Sequence, residues 1–332
     1  MLAALALVLM AGGMNGSFAT PMKRVHGWEW EHTWLVWSFL SMIVIPLAVA
    51  VVTVPNLTAV YRAAGVGSLV LTAFFGMLWG AGAVAFGLGV TRVGLALGFG
   101  IILGTAASLG AVIPFVELHR DQLFSTVGAL MLGGVVIVSA GVAACARAGV
   151  LREATVAPQV GASSFIVGLV ICILSGLGST VMSIALNRAQ PIYGAAEALG
   201  TPSARSLNAV WPVLLCGGFA INGAYCISLV IRRRNVRCFS KGVAGNFALV
   251  AAMAVLWSGS NFAYGAGARS MGSLGLVLGW PIFMAAIVLT ANAWGWLTGE
   301  WHGAGSRVAA WAVAGNLLLL AGIPVIALAG SG

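Results

Sequence analysis

The sequence predicts an all-α polytopic membrane protein whose ten transmembrane helices form two inverted five-helix repeats. Three observations predict it. Only 7% of the residues are charged and 61% are hydrophobic, whereas about a quarter of a soluble domain is charged. The 16 Lys and Arg and the 7 Asp and Glu all fall outside ten long apolar runs. A glycine-rich aromatic motif in the third run returns in the eighth.

The runs are Leu2 to Thr20, Thr33 to Val54, Gly67 to Val90, Leu95 to Val116, Ser125 to Ala146, Ala162 to Leu186, Ser206 to Ile231, Val243 to Ala268, Ser273 to Thr298 and Val308 to Ala329. Each is close to the ~17–25 apolar residues that cross ~30 Å of hydrocarbon. Lipid offers no partners to backbone N–H and C=O groups and the alternation of a barrel strand is absent, so the runs must be helices. The first lacks a basic leading segment and a small-x-small cleavage site, which makes it a retained helix rather than a signal peptide. The second opens beneath Trp28, Trp30, Trp34 and Trp37, read here as an interfacial belt. Pairs of glycines four residues apart, Gly76/Gly80, Gly94/Gly98, Gly100/Gly104 and Gly275/Gly279, let helix backbones approach closely.

The formal net charge of +9 does not indicate nucleic acid, because the basic residues are dispersed over connections and gathered on no soluble domain. Eleven of the 16 lie in the odd-numbered connections and five in the even ones. Positive-inside bias therefore predicts cytoplasmic odd loops and both termini outside. The seventh loop, with Arg232, Arg233, Arg234, Arg237 and Lys241, reads as a topological stop against anionic membrane lipid. Five cysteines, Cys145, Cys172, Cys216, Cys226 and Cys238, form no C-x-x-C pair and read as small packing side chains.

The repeat aligns Leu78 to Gly94 with Leu256 to Gly272 through Leu78/Leu256, Trp79/Trp257, Ala85/Ala263, Gly87/Gly265, Gly89/Gly267 and Gly94/Gly272. Helix three then corresponds to helix eight, and residues 1–160 and 161–332 are the two halves of one transporter domain. Five is odd, so the second half enters the membrane from the opposite side. Inverted halves suit alternating access around a site at mid-membrane. No phosphate-cradling glycine loop occurs, so ATP is not the expected driving force.

Candidate binding residues are the polar and amphipathic side chains inside the spans: Asn15, Ser17, Trp79, Asn222, Trp257, Asn261 and Tyr264. Amides and hydroxyls can replace the water around a neutral polyhydroxylated solute while indole faces cover its C–H surface. Equally, Ser can bond back to its own helix and Asn can join neighbouring helices. Trp257, Asn261 and Tyr264 share one helix face by their spacing. No acid lies in mid-span. Glu31, just before helix two, and Glu300, just after helix nine, are the nearest on the cytoplasmic side, with Glu117 and Glu197 outside. Glu31 is the favoured proton-coupling residue because Lys23, Arg24, His26 and His32 surround it in sequence. The spacing of His26, Glu29, Glu31 and His32 matches no familiar metal set, so neither a metal nor another cofactor is expected. An enzyme would need a paired acid and base inside the spans, and a sensor a loop long enough to fold alone. Neither is present in the sequence.

The first hairpin orders Phe18, Pro21, Lys23, Val25, Trp28, Trp30, Glu31 and Trp34, followed by Pro46 and Pro55-Asn56. Helix three carries Phe75-Gly76, Trp79-Gly80, Gly82 and Gly87-Leu88. With the glycine ladder Gly94 to Gly104, Asn187 with Pro191, Leu199-Gly200, Gly217-Gly218, Ile221-Asn222 and Glu300-Trp301, the chain resembles the L-rhamnose/proton symporter family of the drug/metabolite transporter superfamily. The resemblance implies a ten-helix importer of L-rhamnose, with H+ as the coupling ion, in a bacterial inner membrane. One departure is Ala83, Val84, Ala85 and Phe86, where polar residues such as Asn and Tyr are expected. It leaves open a different sugar or small metabolite as the cargo.

Overall fold

A computed structural model of the chain describes residues 2–93, 95–153, 162–299 and 305–330. Ten helices among these residues are long and apolar enough to cross a membrane. They are α1 (Leu2–Ser17), α2 (Trp30–Thr53), α3 (Val66–Val93), α4 (Leu95–Leu118), α5 (Thr126–Glu153), α6 (Ala162–Arg188), α7 (Trp211–Arg233), α8 (Val243–Ser270), α9 (Gly275–Leu297) and α10 (Ser306–Ala329). The protein is a multi-pass helical membrane protein. Gly94, Glu300 and Trp301 lie outside the described residues.

Boundaries move where local chemistry overrides hydropathy. The first helix ends at Ser17 rather than Thr20, and the chain turns through a 3-10 segment, Thr20–Arg24, with Pro21 in its first turn. The seventh begins at Trp211 rather than Ser206, after two short turns, Ser203–Ser206 and Leu207–Ala209. Other helices overrun the apolar runs and carry Arg92, Arg147, Arg152 and Arg188. A long arginine stem can stay in apolar surroundings while its head reaches the interface.

Inside α2 a π-helical turn, Leu40–Val44, precedes Pro46. Proline has no N–H to offer the preceding turn, so the ladder must rearrange around it. The neighbouring Ser41 carbonyl accepts a hydrogen bond from Ser258 Oγ on α8 at 3.0 Å. The irregular turn is thereby tied to another helix.

The first helix of each half packs on the other half. Helix α1 lies against α8 and α9, and α6 lies against α3 and α4. Further contacts join α3 to α7, α2 to α8, α2 to α7, α4 to α9 and α5 to α10. Exchanging α1–α5 with α6–α10 turns each of these contacts into another of the same set or, for α2–α7, α4–α9 and α5–α10, into itself. Glycine makes several of the crossings possible: a Cβ on Gly82 of α3 would stand 2.8 Å from the Cα of Gly178 on α6. Gly76 and Gly80 face α7, Gly100 and Gly104 face α5, and Gly275 and Gly279 face the end of α8.

Candidate functional site

Trp79, Asn222 and Trp257 occupy the middles of α3, α7 and α8 and converge at the centre of the bundle. Trp79 and Trp257 stack with centroids 5.8 Å apart and planes 27° from parallel. Trp37 of α2 meets Trp257 edge-on at 5.3 Å, and Trp34 lies 4.4 Å from Trp37. Trp34 Nε1 donates to Asn222 Oδ1 at 3.2 Å, while Asn222 Nδ2 donates to the Gly218 carbonyl at 3.0 Å and more weakly to that of Gly80 at 3.4 Å. Asn222 is thus a satisfied amide hub linking α2, α3 and α7.

The expected tryptophan belt is corrected here. Trp34 and Trp37 turn into the bundle, and Trp30 stacks on Trp34 at 5.2 Å. Residues 30, 34 and 37 share one helical face, and that face meets α7 and α8. Only Trp28 stays with the connecting loops, donating through Nε1 to the Lys241 carbonyl at 2.9 Å.

Asn261 lies one turn beyond Trp257 and is 3% exposed. Its Nδ2 donor has no partner, and neither does Nε1 of Trp37, which is 2% exposed. Unpaired buried donors are costly and rare. The remaining expected residues lie elsewhere. Tyr264 donates to the Leu276 carbonyl at 3.1 Å and packs on Trp280 and Phe283. Asn15 Nδ2 donates to Ser260 Oγ at 3.0 Å, fastening α1 to α8. Ser17 Oγ donates to the Gly13 carbonyl and accepts from Trp294 Nε1, both at 2.7 Å. Ser17 also lines an apolar cavity of about 540 Å³ between α1, α8 and α9, beside Met10, Met14, Leu256 and Trp294. That cavity has too few polar groups to orient a sugar. The ring and amide cluster is the chemically better site.

Glu31 is fully buried at the start of α2. Arg233 Nη1 contacts both carboxylate oxygens at 3.1 and 3.2 Å, and Asn235 Nδ2 donates to Oε1 at 2.7 Å. Arg234, in the left-handed region at φ 50°, reverses the chain between these two partners. Around them, Asn246 Oδ1 accepts the His26 amide at 3.2 Å, and its Nδ2 donates to the carbonyls of His26 at 2.8 Å and Lys241 at 3.1 Å. The α1–α2 and α7–α8 connections are therefore knotted together. Loop seven does more than mark topology, and its partner was invisible in sequence because it lies in the other half. From Glu31 and Arg233 the α2–α7 seam leads to Trp34 and Asn222. At the opposite end Glu197 pairs with Arg269 at 2.7 Å, and the guanidinium covers the Tyr193 ring at 4.3 Å.

The family model described as L-rhamnose-proton symport protein (RhaT) matches residues 2–331. This chain belongs to that family. An L-rhamnose-proton symporter of Shigella dysenteriae serotype 1 is 30% identical over 310 residues, covering 90% of this chain and 89% of the relative. L-rhamnose-proton symporters of Escherichia coli (strain SMS-3-5 / SECEC) and Klebsiella pneumoniae (strain 342) are 29% and 28% identical over 307 residues, again covering 90% of this chain and 89% of each relative. The family is one of transporters, not enzymes, and its match spans both knotted loops and the central cluster.

Proposed function

We propose that this chain imports L-rhamnose, or a sugar closely related to it, together with protons across a bacterial inner membrane. The observation that carries the reading is the central pairing of stacked Trp79 and Trp257 with the unpartnered donors of Asn261 and Trp37. Indole faces suit the C–H surface and methyl group of a 6-deoxysugar, and the free donors suit its oxygens. Family membership supports both sugar and proton. The proton is the coupling ion and no other cofactor is required; lipid is the solvent of the outer faces, and nucleic acid is no partner.

The two halves, 1–160 and 161–332, act as inverted repeats that close alternately over this site. Two observations support the symmetry. The helix contacts exchange in pairs, and the repeat-equivalent residues Trp79 and Trp257 touch each other, as residues beside a two-fold axis do. Odd loops are cytoplasmic and both termini outside, so the Glu31–Arg233 knot closes the cytoplasmic end. Glu31 accepts the transported proton. A protonated Glu31 no longer opposes the Arg233 charge, which frees the α2–α7 seam to part.

A second reading, a different sugar or small metabolite, is favoured by Ala83, Val84, Ala85 and Phe86 in α3, where the repeat partner α8 keeps Asn261 and Tyr264. Vesicles or cells expressing the protein test both. L-rhamnose addition should alkalinise the outer medium. No pH change with L-rhamnose or any other 6-deoxysugar or aldose removes proton symport, and a change with another sugar alone moves the cargo.

A further inference from the structure

Trp37 sits in a ring cluster and yet cannot be explained by packing alone. Its ring packs against Trp34, Trp257 and, at 5.3 Å, Phe18, contacts of a kind that a phenylalanine also makes. What an indole adds is one N–H donor, and that donor is buried without an acceptor. On α8, Asn261 stands four residues from the Trp257 that Trp37 touches, and its Nδ2 is likewise buried and unpaired. Four residues along a helix are ~6 Å, a span one pyranose ring can bridge. A third orphan donor, Trp211 Nε1, lies near Gly265, a further turn along α8. That level is ~12 Å along the helix from Trp257, twice the span between Trp257 and Asn261.

Both nearby groups can only donate on the atoms left free, so the missing ligand must bring acceptors. Neutral oxygens do this without adding a charge to an interior that has no countercharge at this level. We infer that Trp37 is a specificity-determining residue, its Nε1–H donating to one sugar oxygen while Asn261 Nδ2 donates to a different one, so that the pair reads two positions of the pyranose. The inference rests on the sugar-transport reading above and adds to it the residue that chooses among hydroxyl patterns.

The test is a matrix of transport KM values for L-rhamnose and its mono-deoxy analogues in wild type, Trp37→Phe and Asn261→Leu. A buried donor left unmatched weakens binding by about tenfold or more. Trp37→Phe should therefore raise the L-rhamnose KM about tenfold and add no loss for one particular deoxy analogue, the one lacking the oxygen Trp37 reads. Asn261→Leu should do the same for a different analogue. A destabilised protein would instead weaken every sugar by one common factor. That uniform pattern, or an unchanged KM in Trp37→Phe, overturns the role of Trp37 while wild-type transport stays intact. If wild type transports no sugar of the panel, the transport reading falls first and takes this inference with it.

Discussion

Among the described residues, Glu31 is the one carboxylate that is both fully buried and held by a cation from the other half of the chain. Burying a carboxylate is costly unless attraction and hydrogen bonds compensate it; Glu31 is buried, whereas the Arg233 side chain is 56% exposed. Asn235 and Arg233 supply that compensation here. If Glu31 is the proton acceptor, Glu31→Gln keeps the Asn235 contact, removes the titratable charge, and uncouples sugar from protons. Proton-driven accumulation should fall at least tenfold while sugar exchange across the membrane continues at near the wild-type rate. Equal loss of both would give Glu31 a structural role. Sequence pointed to Glu31 through its basic neighbours, but the side chains bonded to the carboxylate are Arg233 and Asn235. Arg233 and Asn235 are about 200 residues away, and only the packing of α2 on α7 could name them.

Several helix pairs in this bundle approach closely through glycine. Apolar side chains gain little by leaving lipid for one another, so close backbone contact is a main source of adhesion. The α3–α6 crossing is one example: a Cβ at Gly178 would lie 2.6 Å from Gly82 Cα. Gly178→Val must push the two helices apart, and overpacking of this kind costs ~1–3 kcal/mol. A detergent-solubilised Gly178→Val variant should lose secondary structure at a clearly lower temperature than wild type; equal melting would mean that α3 and α6 are not in such contact. The spans themselves were legible because hydropathy and length decide them. Their ends were less so at Pro21 and Trp211, where turn chemistry stops a run that is still apolar. Faces were legible only in part. Trp257 and Asn261 share an inward face as their spacing implies, yet Trp30, Trp34 and Trp37 have the same spacing and their place at a helix start points instead to a belt, because tryptophan there more often marks the interface.

At the scale of the molecule, the proposed transport cycle rests on two ends and a centre. One end is closed by Glu31 with Arg233 and by the Asn246 loop contacts, and the other by Glu197 with Arg269 over Tyr193. Between them lies a site of indole rings and amide donors with no charge of its own. Helix α1 packed on α8 and α9, and α6 on α3 and α4, bind the halves so that movement of one is felt by the other. The motif shared by Leu78 to Gly94 and Leu256 to Gly272 is the sequence signal for the proposed two-fold plan; the packing of α1 and α6 across the bundle had no sequence signal at all. For one proton per sugar, ~100 mV supplies ~2.3 kcal/mol, enough for roughly fifty-fold accumulation. The most direct measurement uses proteoliposomes with an inside-negative potential and labelled L-rhamnose. Proton symport predicts internal sugar well above the external level, collapsing when a proton ionophore is added. Internal sugar that merely equals the external level, with or without the ionophore, would contradict it.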